Sequence, residues 1–329
     1  MEQRSLKKFI IITSIFEPTT AIESFSSLPD YQLVVVGDKK TPAGWQFENV
    51  VYLDIQSQLD LAPGLAEVIP FNHYGRKMLG YIYAMQQGAS VIIDTDDDNI
   101  PYPSWQFPEF DGIFRTSEQD LGWVNIYHHF TEQPIWPRGL PLRNIRDSRD
   151  KLKWINGEQS ARIGIWQGLA DEDPDVDAIY RLTSDTPCIF RKEQPVVLGR
   201  GTVSPFNSQN TAYRKELFPL LFLPSFVTFR FTDILRGIIA QPVLWQEGFS
   251  LGFTEATVIQ KRNVHDYFKD FQSEVPMYLH TETALEAVSS AMGKGSVKDN
   301  LWAAYESLLG LGIVEKREMA VLTEWLKHC

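Results

Sequence analysis

The amino-acid sequence predicts an α/β fold built on a doubly wound parallel sheet. Three observations carry that expectation. Strands alternate with helices over the first hundred residues. One apolar β-branched run, Val91–Ile93, ends abruptly in the carboxylates Asp94, Asp96, Asp97 and Asp98. The helix before that run starts with Arg76 and Lys77, and because it runs antiparallel to the strand it brings them to the same edge.

In chain order, Lys7 and Lys8 lead into a strand over Phe9–Ile15 that breaks at Glu17-Pro18. A short helical turn over Ala21–Phe25 passes to a second strand, Leu33–Val36, ended by Gly37-Asp38, and Val50–Leu53 reads as a third. Gln56 to Pro70 carries no clear period. Asn72 is placed to cap a helix through Tyr74, Met78, Ile82 and Met85 that stops at Gly88. In sheets of this kind the ligand lies beyond the strands' carboxyl ends, near a switch in strand order. Thr13, Gly37, Asp38 and the aspartates share that edge. Asp38 can hydrogen-bond a base or ribose there, or simply form the turn after its strand.

The stretch Ser90–Pro101, SVIIDTDDDNIP, dominates the chemistry. Carboxylates packed this closely repel one another, and a divalent cation offsets that repulsion. Mg²⁺ or Mn²⁺ on carboxylates usually also holds substrate phosphates. Two cations and a helix N-terminus beside such a cluster make a diphosphate site. The plainer alternative is that Arg76 and Lys77 only neutralise the acidic turn.

Further along, a strand is expected at Trp123–Tyr127; His128 and His129 on it would point to opposite faces, so at most one would reach a metal. Trp136–Pro141 is a proline-stiffened loop presenting Arg138, and by local sequence it reads as a surface turn with a solvated arginine. Asp171–Asp177 is a second acidic turn leading to an expected strand, Ala178–Leu182. Gly199–Thr211 is glycine- and amide-rich. It would let the amides of Asn207 and Asn210 approach a sugar, or serve only as a connection. Thr232-Asp233 opens a helix, where Asp233 is at least a favourable first-turn acid. Three amphipathic helices, Thr281–Met292, Ser296–Leu309 and Glu315–Lys327, are expected to form an extension (281–329) packed on a domain spanning 1–280.

Composition narrows the class. With 329 residues, 43% of them hydrophobic, the chain can bury one large core or two modest ones. A net charge of -11 argues against nucleic-acid binding, which needs a basic face. The only cysteines, Cys188 and Cys329, exclude a disulfide framework and a cysteine zinc site. The run Phe9–Phe16 is too short to span a bilayer, so no transmembrane segment and a cytoplasmic location are expected; an oligomer is compatible with these features. Neither GxGxxG nor a Walker lysine motif occurs.

Several segments together resemble a known family. Tyr74-Gly75-Arg76-Lys77, Gly80-Tyr81, Gly88 and Ile93-Asp94-Thr95-Asp96-Asp97 are similar to the STELLO glycosyltransferase-like proteins. So are Trp136-Pro137-Arg138-Gly139-Leu140-Pro141-Leu142, the turn from Leu169 through Asp177, Asn207-Ser208-Gln209-Asn210-Thr211 and Asp233-Ile234-Leu235-Arg236-Gly237. More distantly, Asp96-Asp97-Asp98, Arg138-Gly139-x-Pro141, Pro174-Asp175-x-Asp177-Ala178, Gly201-Thr202 and Asp233 resemble the reversibly glycosylated polypeptides, which are UDP-arabinopyranose mutases. The ordered set spans roughly residues 8 to 280 and is more specific than any one motif.

The resemblance implies a GT-A fold with a Rossmann-like mixed sheet, a UDP-sugar donor and a saccharide or other hydroxyl acceptor. It implies Asp96, Asp97 and Asp98 as ligands of Mn²⁺ or Mg²⁺ and of the ribose, Arg76 as a nucleotide or diphosphate contact, and Asp233 as the acceptor base. Thr13, Asp38, Lys77, Asn207 and Asn210 are then expected around the nucleotide-sugar, and Asp175, Asp177 and Arg236 beside the sugar or acceptor. Two departures stand out. The family's membrane anchor is not expected in this stretch of sequence, and its His-Arg-Tyr-Asp stretch is replaced by Ile259-Gln260-Lys261-Arg262. A mutase would place Arg138 close to the sugar, where it becomes glycosylated. A third reading is a non-catalytic assembly factor that retains the fold. A phosphatase with Asp94-Thr95-Asp96 as its nucleophile motif ranks last, because that motif belongs on a first strand.

Overall fold

A computed structural model of the chain describes residues 7–146, 151–184, 186–261 and 266–329. Lys8–Thr13 (β1), Thr20–Ser26 (α1), Tyr31–Val36 (β2) and Val50–Leu53 (β3) form where the apolar pattern predicts. The aperiodic stretch is two short helices, Ile55–Leu61 (α2), capped by Asp54, and Pro63–Val68 (α3), opened by Pro63. A 3₁₀ turn, Tyr74–Arg76, then enters Lys77–Gln86 (α4), which feeds Val91–Thr95 (β4). The cap is His73, whose ring accepts from the Gly75 N–H, and not Asn72, which takes a left-handed φ of 53°.

Asn99–Pro101 (β5), Asp111–Ser117 (β6) and Gly122–Trp123 (β7) follow. The strand expected over Trp123–Tyr127 stops after two residues, and Tyr127–Phe130 (α5) is helical, so His128 and His129 sit on a helical turn. Asn125 forces the change: its Oδ1 accepts from the Tyr127 N–H and its Nδ2 donates to the Ile135 carbonyl. Trp154–Asp171 (β8) is the longest strand among the described residues. Ala178–Thr183 (α6) is a helix where a strand was expected, because Asp177 caps it by accepting from the Tyr180 N–H. Val196–Val197 (β9), Thr202–Val203 (β10), Asn210–Arg214 (β11), Thr232–Gln246 (α7) and Ser250–Gln260 (β12) come next. Tyr267–Ala291 (α8), Val297–Gly310 (α9) and Lys316–Leu326 (α10) close the chain. Because α8 begins at Tyr267, a boundary after residue 280 would cut one continuous helix.

Ten strands form one sheet in the order β3-β2-β1-β4-β11-β8-β6-β9-β12-β5. The half read from the sequence, β3-β2-β1-β4, is parallel throughout. β11 then inserts antiparallel to both β4 and β8, and β12 runs parallel to β8, so the whole is mixed. The chain adds β2 and β3 on one side of β1 and β4 on the other. That reversal opens a crevice at the carboxyl ends of β1 and β4.

Both faces of the sheet are covered. Along β1, Phe9 and Ile11 enter the larger core with α4, α7 and the C-terminal helices, while Ile10 and Ile12 enter a smaller one with Ile22, Phe25 and Trp105. Leu301, Tyr305 and Leu308 of α9 join the larger core. From α10, the Trp325 Nε1–H donates to the Pro219 carbonyl at 2.9 Å. Glu318 beside it is fully buried and accepts from the backbone N–H groups of Ser225, at 2.9 and 3.0 Å, and Phe226, at 2.8 Å. Among the described residues, no helix is long and apolar enough to cross a membrane.

Burial pushes the Glu318 carboxyl up to about 7, against the pull of its backbone donors. A carboxyl raised in this way favours the folded state below its unfolded value of about 4.3, and loses that contribution as pH climbs through the folded value. The melting temperature should therefore fall between pH ~6.5 and ~8. Glu318→Gln, a neutral mimic, should flatten that slope in a pH series of thermal melts. Histidine ionisation, centred at pH ~6.5 in an unperturbed side chain, is common to wild type and variant and cancels in their comparison.

Candidate functional site

A two-lobed cleft opens at the carboxyl ends of β1, β2 and β4. One lobe, about 200 Å³, is lined by Thr13, Gly37, Asp38, His73, Tyr74 and Arg76. The other, about 220 Å³, is lined by Asp96, Asp98, Arg138, Ser208, Arg230, Asp233 and Gln260. Thr13, Tyr74, Asp97 and Phe229 border both, so they form the waist. The turn after β4 is tied across the switch point. The Ser14 hydroxyl donates to Asp97 Oδ2 at 2.5 Å, and the Thr19 hydroxyl donates to the Asp97 carbonyl at 2.6 Å.

Beneath the turn lies a closed charge network. Lys77 is fully buried, and its Nζ donates to Asp94 at 2.7 Å, to the Thr95 carbonyl at 2.7 Å and to Asp96 at 3.0 Å. Arg236 pairs with the other oxygen of Asp94 at 2.8 Å. Loss of hydration opposes the charge on Lys77, but Asp94 and Asp96 outweigh it and hold the ammonium above its ordinary value. Lys77 and Arg236 therefore face the interior side of β4 and do not line the cleft. Asp96, with 37% of its side chain exposed, does. Loss of hydration, with repulsion from Asp98 and Asp94, overcomes Lys77 and pushes Asp96 up to about 6.

Arg76 parts from its neighbour. It turns away from the aspartates, donating from Nε to Gln58 at 2.8 Å and from Nη1 to the Ala66 and Ile69 carbonyls at 3.2 and 3.3 Å. Its guanidinium stacks on Phe71 at 4.4 Å and is depressed by burial, with Asp38 opposing. Nη2 has no hydrogen-bond partner among the described residues. Arg76 thus shares the first lobe with Asp38.

Arg138 is not a solvated surface residue; it is only 4% exposed. Nε and Nη2 each donate to Asp175 at 2.8 Å, and Nη1 and Nη2 donate to Asp233 at 3.0 and 2.8 Å. Nη1 also donates to the Arg230 carbonyl. All five guanidinium N–H donors are consumed. Burial alone would lower this group, but the two carboxylates hold it well above its ordinary value. Gly139 explains the tight approach: its φ is +92°, and a Cβ there would sit 2.5 Å from the Ile234 side chain of α7.

The remaining expected residues support this frame. Asn207 donates to Asp175 at 2.8 Å, while Asn210 donates to Thr257 at 2.7 Å and accepts from Trp105. Asp177 caps α6, accepts from the Trp136 Nε1–H at 2.7 Å and is pushed up to about 6, chiefly by burial. None of these three lines the cleft, and neither do His128 and His129. At the late position, the Gln260 Nε2 donates to Asp98 Oδ2 at 3.2 Å; Arg262 lies outside the described residues. The sequence reading missed Tyr74, Ser208, Phe229, Arg230 and Gln260 as lining residues. The one local signal was an aromatic-arginine pair just ahead of the helix-opening Thr232-Asp233. A larger depression of about 540 Å³ lies between the β6–β8 arm and the end of α7, but its only ionisable lining groups are Arg162 and Arg200.

Among the described residues, no three His, Cys, Asp or Glu side chains are arranged to hold a metal ion by themselves. Asp96 and Asp98 can supply part of a coordination shell. A crowded carboxylate raised to about 6 is one that a cation would relieve.

Residues 230–308 match the family model of the STELLO glycosyltransferases. The chain is 30% identical over 264 residues to "Probable glycosyltransferase STELLO1" of Arabidopsis thaliana, covering 74% of this chain and 34% of that protein. It is 29% identical over 296 residues to "Probable glycosyltransferase STELLO2" of the same plant, covering 83% and 38%. The chain thus spans little more than a third of the length of the curated relatives it matches.

Removing Arg138 would leave Asp175 and Asp233 buried without their cation. Arg138→Met should cost about 3–5 kcal/mol in denaturant unfolding. Lys261→Ala, at an exposed ion pair, should stay within about 0.5 kcal/mol.

Proposed function

We propose that this relative of the STELLO glycosyltransferases is itself a glycosyltransferase using a nucleotide-sugar donor, in the first instance a UDP-sugar. The observation that carries the reading is the two-lobed cleft at the strand-order switch, with the Asp96–Asp98 turn at its waist and in its second lobe. The first lobe, with Arg76 and Asp38 as a buried donor and an acceptor, suits a nucleoside. The second, bordered by carboxylates and arginines, suits a diphosphate and its sugar.

Asp96 and Asp98 would hold Mn²⁺ or Mg²⁺. Such ions are commonly bound through one or two carboxylates, with substrate phosphates and water completing the shell. When bound, the ion neutralises charge on the leaving nucleoside diphosphate. Asp97 holds the turn through Ser14 and Thr19. Asp233 is the base we assign to the acceptor hydroxyl. Oδ1 accepts from Arg138 alone among the described residues and keeps a second lone pair, while Oδ2 accepts from Arg138 and, at 3.4 Å, from the Ser208 N–H and hydroxyl; the residue borders the second lobe.

A mutase working through a glycosylated Arg138 finds no support in this geometry. Every donor of that guanidinium is engaged, and its nitrogens would have to leave two carboxylates before attacking carbon.

Two expected outcomes test the proposal. Asp96→Asn and Asp98→Asn should each weaken UDP binding in Mn²⁺ by at least tenfold, about 1.4 kcal/mol, without a matching fall in melting temperature. Calorimetry that finds wild-type affinity in both variants removes the metal assignment. Asp233→Asn should lower transfer to an added hydroxyl acceptor about 10²–10⁴-fold with donor affinity retained. Wild-type turnover in that variant removes the base.

A further inference from the structure

We infer that Arg230 is the cation that meets the donor's diphosphate in the second lobe, and that Glu274 of α8 is its positioning residue. This rests on the nucleotide-sugar reading above. The other cations near the cleft are already committed. Lys77 and Arg236 are enclosed on the interior side of β4, Arg76 belongs to the first lobe, and Arg138 has no donor left. A nucleoside diphosphate brought against Asp96, Asp97, Asp98 and Asp233 still needs positive charge beyond a single divalent ion.

Arg230 lines that lobe and has what the others lack. Its Nε and Nη2 are held by Glu274 Oε1, both at 3.0 Å, with Asp175 3.8 Å from Nη2. Nη1 has no partner among the described residues, so one edge of the fork is fixed and the other is left for a ligand. The backbone is fixed as well: the Arg230 N–H donates to the Ser273 hydroxyl at 3.2 Å, and its carbonyl accepts from Arg138. Glu274 is itself immobilised, being fully buried, with Oε2 accepting from the Ala178 N–H at 2.7 Å and from the Tyr278 hydroxyl at 2.6 Å. A planar guanidinium anchored along one edge is suited to phosphate oxygens on the other.

The test compares UDP with UMP, each in Mn²⁺, by calorimetry on the full chain. Arg230→Gln should weaken UDP by about tenfold or more, as expected for a lost hydrogen bond to a charged group. It should leave UMP within about twofold, since the monophosphate lacks the second phosphate that Arg230 would meet. Arg230→Lys should fall between wild type and Arg230→Gln for UDP, and Glu274→Gln should weaken UDP selectively by a smaller factor. If Arg230→Gln does not fold because Glu274 is left unpaired, Arg230→Gln/Glu274→Gln removes both charges and carries the same expectation. Unchanged UDP affinity, or equal loss of UDP and UMP, overturns the inference while leaving the donor site standing. A wild-type protein that binds neither nucleotide overturns the proposed function and this inference together.

Discussion

The fully buried Asp94 at the carboxyl end of β4 is the point on which the cleft depends. One oxygen takes Lys77 and the other takes Arg236, so α4 and α7 are both fastened to the strand that carries the aspartate turn. A buried carboxylate is costly unless paired and hydrogen-bonded, and here two cations offset one anion. The surplus positive charge is met by Asp96, which the buried Lys77 also holds. The turn therefore projects Asp96, Asp97 and Asp98 from a base that cannot shift without unpairing a buried ion.

The second clamp, around Arg138, has the opposite sign. Two aspartates close on one guanidinium, joining the Trp136–Pro141 loop, the Asp171–Asp177 turn and the first turn of α7; Asn207 joins through Asp175. Four segments far apart in sequence thus meet at one planar group whose geometry demands bidentate partners. The clamp leaves an anionic excess that Arg230 partly offsets from 3.8 Å. The positive network under β4 and the negative clamp beside α7 flank the second lobe, so the site lies between two rigid, oppositely biased supports.

The C-terminal helices do more than cover the core. Glu318 of α10 accepts the backbone donors of Ser225 and Phe226, and α8 holds Arg230 through Ser273 and Glu274. The segment carrying Phe229, 55% exposed at the waist of the cleft, is thereby mounted from both ends by helices that follow it in sequence. The match to the STELLO family model, residues 230–308, begins at Arg230 and runs through α7 and α8 into α9.

Local pattern along the chain carries a definite share of this fold. The strands β1 to β4, the aspartate turn, the start of α7 and the amphipathic α9 and α10 are all readable from apolar period, capping residues and Gly or Pro punctuation. The rest depends on partners distant in the chain. Arg138 looks like a solvated turn residue until Asp175 and Asp233, 37 and 95 positions away, enclose it. Arg76 and Lys77 are adjacent and chemically alike, yet a 3₁₀-to-α junction sends one to Gln58 and the other to Asp94. The long strands β8 and β12 escape reading because β8 passes from an exposed half to a buried one and β12 is buried over most of its length, so no single period describes either. Arg230 and Glu274 were illegible for the same reason. An arginine's role is set by which of its donors the fold leaves unpaired, and that is a property of packing rather than of neighbours in sequence.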